Sequence, residues 1–165
     1  MKRLLLVVLM LLLTLPATAW AGDQPLLRVK IIDQDPKGTN MRDTPKGKIV
    51  YTIPLKPADE LERIVSVYEQ EGEWFLVTTE AEKAQSGWMH SSVLGLRGGS
   101  TEDGPCPLRR DSSEKSPVLI KPKAGAVLQL LGATFNNKET QAWYKVRYKD
   151  SSGKSYDGWV PQQCE

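Results

Sequence analysis

The chain has 165 residues, 22 of them basic and 20 acidic, with 40% hydrophobic residues and one histidine. So even a balance leaves no electrostatic footprint for a nucleic-acid-binding protein or for a polybasic protein of the membrane surface. The length suits one ordinary domain or two small ones.

The first residues set an address. Met1-Lys2-Arg3 is a basic patch, and Leu4 to Leu15 is apolar except for Thr14. Pro16 and a run of small residues ending Ala19-Trp20-Ala21 follow. A basic start, a short apolar core and an Ala-x-Ala exit predict a secretory signal peptide over residues 1–21. The alternative is a retained signal anchor, but the apolar run falls short of the roughly 20 residues that span a bilayer. The first mature residue would be Gly22, and with no cysteine there a lipid-modified N-terminus is not expected. Cleavage removes Lys2 and Arg3, leaving 144 residues with 20 charges of each sign. The expected destination is the periplasm or the extracellular space.

The mature chain shows little helical periodicity. Runs rich in Val, Ile, Thr, Tyr and Trp predict strands at Leu27–Ile32, Ile49–Ile53, Leu61–Glu69, Trp74–Thr79 and Gly87–Leu94. Turn residues lie between them, as in Asp35-Pro36-Lys37-Gly38 and Asp43-Thr44-Pro45. Pro57–Arg63 is the one helical candidate. A second set of strands is predicted at Pro117–Ile120, Ala126–Phe135, Ala142–Tyr148 and Tyr156–Val160. The stretch Gly98 to Pro105 is rich in Gly, Ser and acid and reads as a flexible linker. It divides a first domain, 22–97, from a second, 106–165.

The two halves repeat each other in order. Arg42-Asp43 is echoed by Arg110-Asp111, Trp74-Phe75-Leu76-Val77 by Trp143-Tyr144-Lys145-Val146, and Gly87-Trp88-Met89 by Gly158-Trp159-Val160. With Asn40-Met41-Arg42-Asp43-Thr44-Pro45 at its start, the first half resembles the bacterial SH3-like (SH3b) family. The second half is similar to it but opens on Leu108-Arg109-Arg110, with Ser113 where the family has Pro. The resemblance implies an all-β fold of two tandem small SH3-like barrels. It also implies a ligand groove near Asn40, Arg42, Trp74 and His90 in the first half, and near Arg110, Trp143 and Pro161 in the second. Val93 and Cys164 stand where polyproline-binding SH3 grooves place an aromatic, so a Pro-rich ligand is not expected. A cell-wall glycopeptide such as peptidoglycan, or another envelope protein, suits such a groove better.

Strand alternation places Phe75 and Val77 on one face of their strand, with Trp74 and Leu76 on the other. In the second half Tyr144, Val146 and Tyr148 share the apolar face, so Trp143, on the face with Lys145 and Arg147, is expected at the surface. Trp88 and Trp159 are expected to cap the core. Cys106 and Cys164 open and close the second half, and in an oxidising compartment a disulfide is the default. A metal site is the alternative, but it would need carboxylates to complete it.

No catalytic residue and no cofactor is expected. His90 has no Gly-x-Ser-x-Gly elbow in its context, and a Cys-His pair would draw on a bridged cysteine. The acid groups Asp59-Glu60-Glu62 and Glu69-Glu71-Glu73 read as solvated surface.

Overall fold

A computed structural model describes residues 25–164 apart from 102, 103, 137 and 139. The expected signal peptide lies outside the described residues. The protein is all-β. Its strands are β1 (Leu27–Ile31), β2 (Thr39–Arg42), β3 (Ile49–Ile53), β4 (Ile64–Glu71), β5 (Trp74–Thr79), β6 (Ser86–His90) and β7 (Leu94–Arg97). They continue as β8 (Ser100–Thr101), β9 (Gly104–Pro105), β10 (Leu108–Arg109), β11 (Val118–Ile120), β12 (Val127–Asn136), β13 (Gln141–Lys149) and β14 (Ser155–Pro161). Three short 3₁₀ turns, Glu60–Arg63, Ser91–Val93 and Gln162–Cys164, complete the regular structure.

Twelve strands form one antiparallel sheet, in the order β11-β10-β14-β13-β12-β7-β1-β4-β5-β6-β2-β3. Its two sides follow from alternation. Leu27, Val29 and Ile31 of β1 point inward with Phe75 and Val77 of β5, while Arg28, Lys30, Trp74 and Leu76 point outward. The inward set runs on without a break through Leu94, Leu96, Leu128, Leu130, Tyr144 and Val146, so one apolar core serves both halves.

The strand order repeats. β4-β5-β6-β2-β3 in the first half matches β12-β13-β14-β10-β11 in the second. The register repeats as well: Arg42 lies opposite Trp88, and Arg109 lies opposite Trp159. Gly87 and Gly158 explain the Gly-Trp motif. A Cβ on Gly87 would stand 2.9 Å from the carbonyl oxygen of Arg42, and one on Gly158 would stand 2.5 Å from that of Arg109. A side chain there would push the neighbouring strand away.

Between the halves the sheet does not stop. β7 pairs with β1 on one side and with β12 on the other. Among the described residues no ladder closes either half on itself, so the strand order is that of one open sheet rather than of two separate barrels. At the start of the stretch 98–105, expected as a flexible linker, Gly98 and Gly99 are hydrogen-bonded to other segments. The Gly98 N–H donates to the Ala126 carbonyl at 2.8 Å, that of Gly125 to the Gly98 carbonyl at 2.7 Å, and that of Gly99 to the Cys164 carbonyl at 2.8 Å. Gly99 is there for close approach: a Cβ on it would meet the Cys164 carbonyl oxygen at 2.6 Å.

The expected bridge is present. Cys106 and Cys164 are disulfide-bonded with their Cα atoms 5.8 Å apart, and both are buried. The helical candidate Pro57–Arg63 shortens to the 3₁₀ turn Glu60–Arg63. Asp59 caps it by accepting the Leu61 N–H at 2.9 Å. The turn ends where Arg63 donates to the Asp33 carbonyl at 2.6 Å and the chain enters β4. No helix of the described residues is long and apolar enough to cross a membrane.

Candidate functional site

On the outer side of the first half, β5 and β6 align their outward residues in pairs: Trp74 with His90, and Leu76 with Trp88. Arg42 of β2 lies opposite Trp88. Trp88 therefore covers the outer face, half-buried, while its neighbour Met89 enters the core. This corrects the expected capping role. Trp159 has the same orientation beside buried Val160.

Three of the expected residues converge here. The Arg42 guanidinium carbon stands 5.9 Å from the centroid of the Trp74 ring, within cation–π range. The His90 ring meets Trp74 edge-on, with centroids 5.2 Å apart at 72°. Arg42 is fixed from behind, since its Nη1 donates to the Gly47 carbonyl at 2.6 Å. Asn40 sits two residues back along β2 on the same face, exposed, accepting from Thr52 Oγ1 at 2.8 Å.

His90 is held through Nδ1. Its Nδ1 accepts the backbone N–H of Ser92 at 3.2 Å, with Ser92 Oγ at 2.9 Å. An accepting Nδ1 leaves the proton of the neutral ring on Nε2, which faces Glu73 Oε2 at 3.5 Å. The histidine thus turns its Nε2 edge toward a carboxylate that is 78% exposed.

Beside Trp74 opens a cavity of about 420 Å³, lined by Pro45, Lys46, Glu71, Gly72, Glu73 and Trp74. Its lip is a tight turn: the Gly47 N–H donates to the Thr44 carbonyl at 2.9 Å, with Pro45 and Lys46 between them. Lys46 takes the third place of the turn with φ 63°, a left-handed conformation usually given to Gly or Asn. Strain of this kind gathers at functional sites. Glu73, expected as solvated surface, lines the cavity together with Lys46, which the sequence reading does not single out. The signals for them were the Pro-x-Gly spacing of Pro45-Lys46-Gly47 and the place of Glu73 next to Trp74.

The second half does not repeat this site. Arg110 is exposed and is not the counterpart of Arg42. By register that counterpart is Arg109, whose Nη1 donates to the Ser116 carbonyl at 2.8 Å, as Arg42 does to Gly47. Pro161 occupies the position of His90, opposite Trp143. Trp143 itself is fully buried, not at the surface. It points outward from the shared core and is enclosed on the far side. The connection between the paired residues spans 110–117 in the second half against 43–48 in the first. Glu114 in this longer loop accepts from Gln141 at 3.2 Å and from Gln163 at 3.4 Å. That strap ties the loop across the end of β13. The indole N–H of Trp143 has no hydrogen-bond partner among the described residues. The cavity on this side, about 360 Å³, is lined by Pro105, Arg109, Glu114, Lys121 and Pro161 among others and does not include Trp143.

Among the described residues no group of three or more His, Cys, Asp or Glu is placed to hold a metal ion. No family model matches the chain, and no curated protein matches it.

Proposed function

We propose that the protein is an exported, non-catalytic binding protein of two SH3b-like units, and that the first unit recognises a cell-wall glycopeptide through Asn40, Arg42, Trp74 and His90. The observation that carries this reading is the half-exposed Trp74, set between the Arg42 cation and the His90 ring beside an open cavity. Tryptophan and arginine are the residues that most often anchor interfaces. Apolar ring faces suit the sugar and methyl surfaces of a glycopeptide. Lys46 stands at the cavity with Glu71 and Glu73, so the site offers charge of both signs to a peptide carrying amine and carboxylate. The export signal puts the site in reach of the wall. Within this reading the second unit is structural, since its tryptophan is closed off.

Retention of the mature protein on purified sacculi tests the reading. Wild type should be retained and Trp74→Ala released, and equal retention of the two would remove it. Trp143→Ala is not a binding control, because truncating a buried tryptophan costs about 3–5 kcal/mol.

Recruitment of another envelope protein through the same site is the second reading. Crosslinking in cells from a photoreactive residue at position 46 separates the two, by capture of a protein or of wall fragments. A third reading, hydrolysis, draws on the alignment of Ser92, His90 and Glu73. Against it, His90 Nδ1 already serves as the cap of the 3₁₀ turn. Release of soluble fragments from sacculi by wild type but not by Ser92→Ala would establish it.

A further inference from the structure

Five exposed cations, Lys30, Lys56, Arg97, Lys123 and Lys149, line two neighbouring hollows. The outward residues of the strands around the junction align in rows across the sheet. One row is Ile64, Lys30, Gly95, Gln129, Arg147 and Asp157, strand by strand from β4 to β14. In the next row Arg97 of β7 lies opposite Val127 of β12, and Lys149 of β13 lies opposite Ser155 of β14. Two broad concavities open on this face. One, about 640 Å³, includes Lys30, Lys56, Leu61 and Arg97. The other, about 610 Å³, includes Lys123, Val127, Gln129 and Lys149. They adjoin where Arg97 meets Val127.

The acids nearby are few, and most are already engaged. Glu80 is paired with Arg28, and Asp157 is paired with Arg147 at 2.7 Å. Glu60 lines the first concavity. Lys30, Lys56, Arg97, Lys123 and Lys149 are all exposed, and among the described residues none has a carboxylate partner within ion-pair distance.

We infer that this face is a second binding site, distinct from the Trp74 groove, for an extended anionic polysaccharide bearing carboxylate or phosphate groups. Adjacent strands lie about 4.8 Å apart. Arg97 and Lys149, two strands apart, therefore present charges at roughly 10 Å intervals to a chain crossing the strands. Two further features choose among polyanions. The outward positions of β7 and of β13 from Arg147 onward, with Val127 and Gln129 of β12, carry no aromatic ring. The two hollows hold one ring between them, Tyr148, partly buried against the core and stacked on Tyr156, whereas a single strand needs a series of rings on which to stack its successive bases. The cations line two hollows rather than a convex surface, which a flat bilayer does not enter. Gln129 and Ser155 offer polar contacts for hydroxyl groups between the charges.

The test is binding of the mature protein to polygalacturonate. Neutral dextran, oligo-dT and phosphatidylglycerol vesicles serve as the comparison ligands. Arg97→Gln with Lys149→Gln should weaken polygalacturonate binding roughly tenfold at low salt, the effect of two surface charge contacts, and added NaCl should weaken it further. Val127→Lys, at a position 51% exposed in the middle of the strip, should tighten it. A gain of that kind cannot arise from misfolding. Trp74→Ala should leave this binding unchanged, so the site stands or falls apart from the proposal for the Trp74 groove. Loss with Trp74→Ala, no gain with Val127→Lys, or tighter binding to oligo-dT or to vesicles would each overturn the inference.

Discussion

Breaking the Cys106–Cys164 bridge should do more than lower stability. It should release one edge of the sheet first. The bridge joins positions 58 residues apart, and loop-closure arithmetic gives about 4 kcal/mol for a loop of that size. With a urea slope of about 2 kcal/mol/M, the unfolding midpoint should fall by about 2 M. The location of the loss follows from the ladders. β10 meets β14 at a single registered pair, Arg109 with Trp159, and holds β11 by two. The equivalent β2–β3 hairpin in the first half has four registered pairs and no bridge. The bridge thus supplies what the short β10 lacks. The loop from β10 to β11 is bonded through Glu114 to Gln141, two residues before the buried Trp143, so loosening that edge should wet the indole. Urea titrations of oxidised and reduced protein, followed by far-ultraviolet circular dichroism and by tryptophan emission, check this. The reduced protein should show a red-shifted emission before the main transition, and Trp143→Phe should abolish that early change. A midpoint unchanged within about 0.5 M, or emission that shifts only with global unfolding, would refute the reasoning.

Lys46→Gly should relieve the left-handed turn and raise stability by about 1 kcal/mol, while weakening retention on sacculi. Thermal melts and pull-downs measure the two effects. Gly95→Ala places a Cβ 2.6 Å from the Leu128 carbonyl oxygen and 2.9 Å from the Ile32 side chain. It should cost about 3 kcal/mol by urea titration and disturb both halves together. Asp157 is held below its ordinary value of 3.8, first by its hydrogen bond from Arg147. A carboxyl lowered on folding stabilises the protein above its unfolded-state value and loses that contribution as pH falls through the folded-state one. Because the two partners are 45% and 42% exposed, the contribution should stay below about 1 kcal/mol. Stability curves of wild type and Asp157→Asn should therefore differ slightly at neutral pH and converge under acid.

Much of the strand layout was legible from alternation. Phe75, Val77, Tyr144 and Val146 face inward as their spacing predicts. The strands without a visible signal are short: β2 and β7 have four residues each, and β8, β9 and β10 two each, too few for alternation to register. Trp143 was misplaced because alternation tells which side of a strand a residue takes, not what lies beyond that side. Near it a loop two residues longer than its counterpart is fastened through Glu114 to Gln141 and Gln163. Arg110 was matched by a dipeptide, whereas the ladder pairs Arg109. The Gly98–Pro105 stretch has the composition of a linker, but Gly99 serves close contact with Cys164. The charge balance was read correctly as a sum, and a sum carries no information about where the charges lie.

β7 has a consequence for anyone who wants to divide this protein. The four residues Leu94–Arg97 complete the hydrogen bonding of β1 and also of β12, so they would have to be present in both fragments. A fragment starting at the apparent boundary near residue 98 would leave the edge of β12 from Val127 to Gln129 bare, an invitation to pair with other chains. Only fragments that overlap, one ending at Arg97 and the other starting at Leu94, keep each edge covered. One cut cannot yield two whole pieces, although the chain reads as two copies of a single pattern.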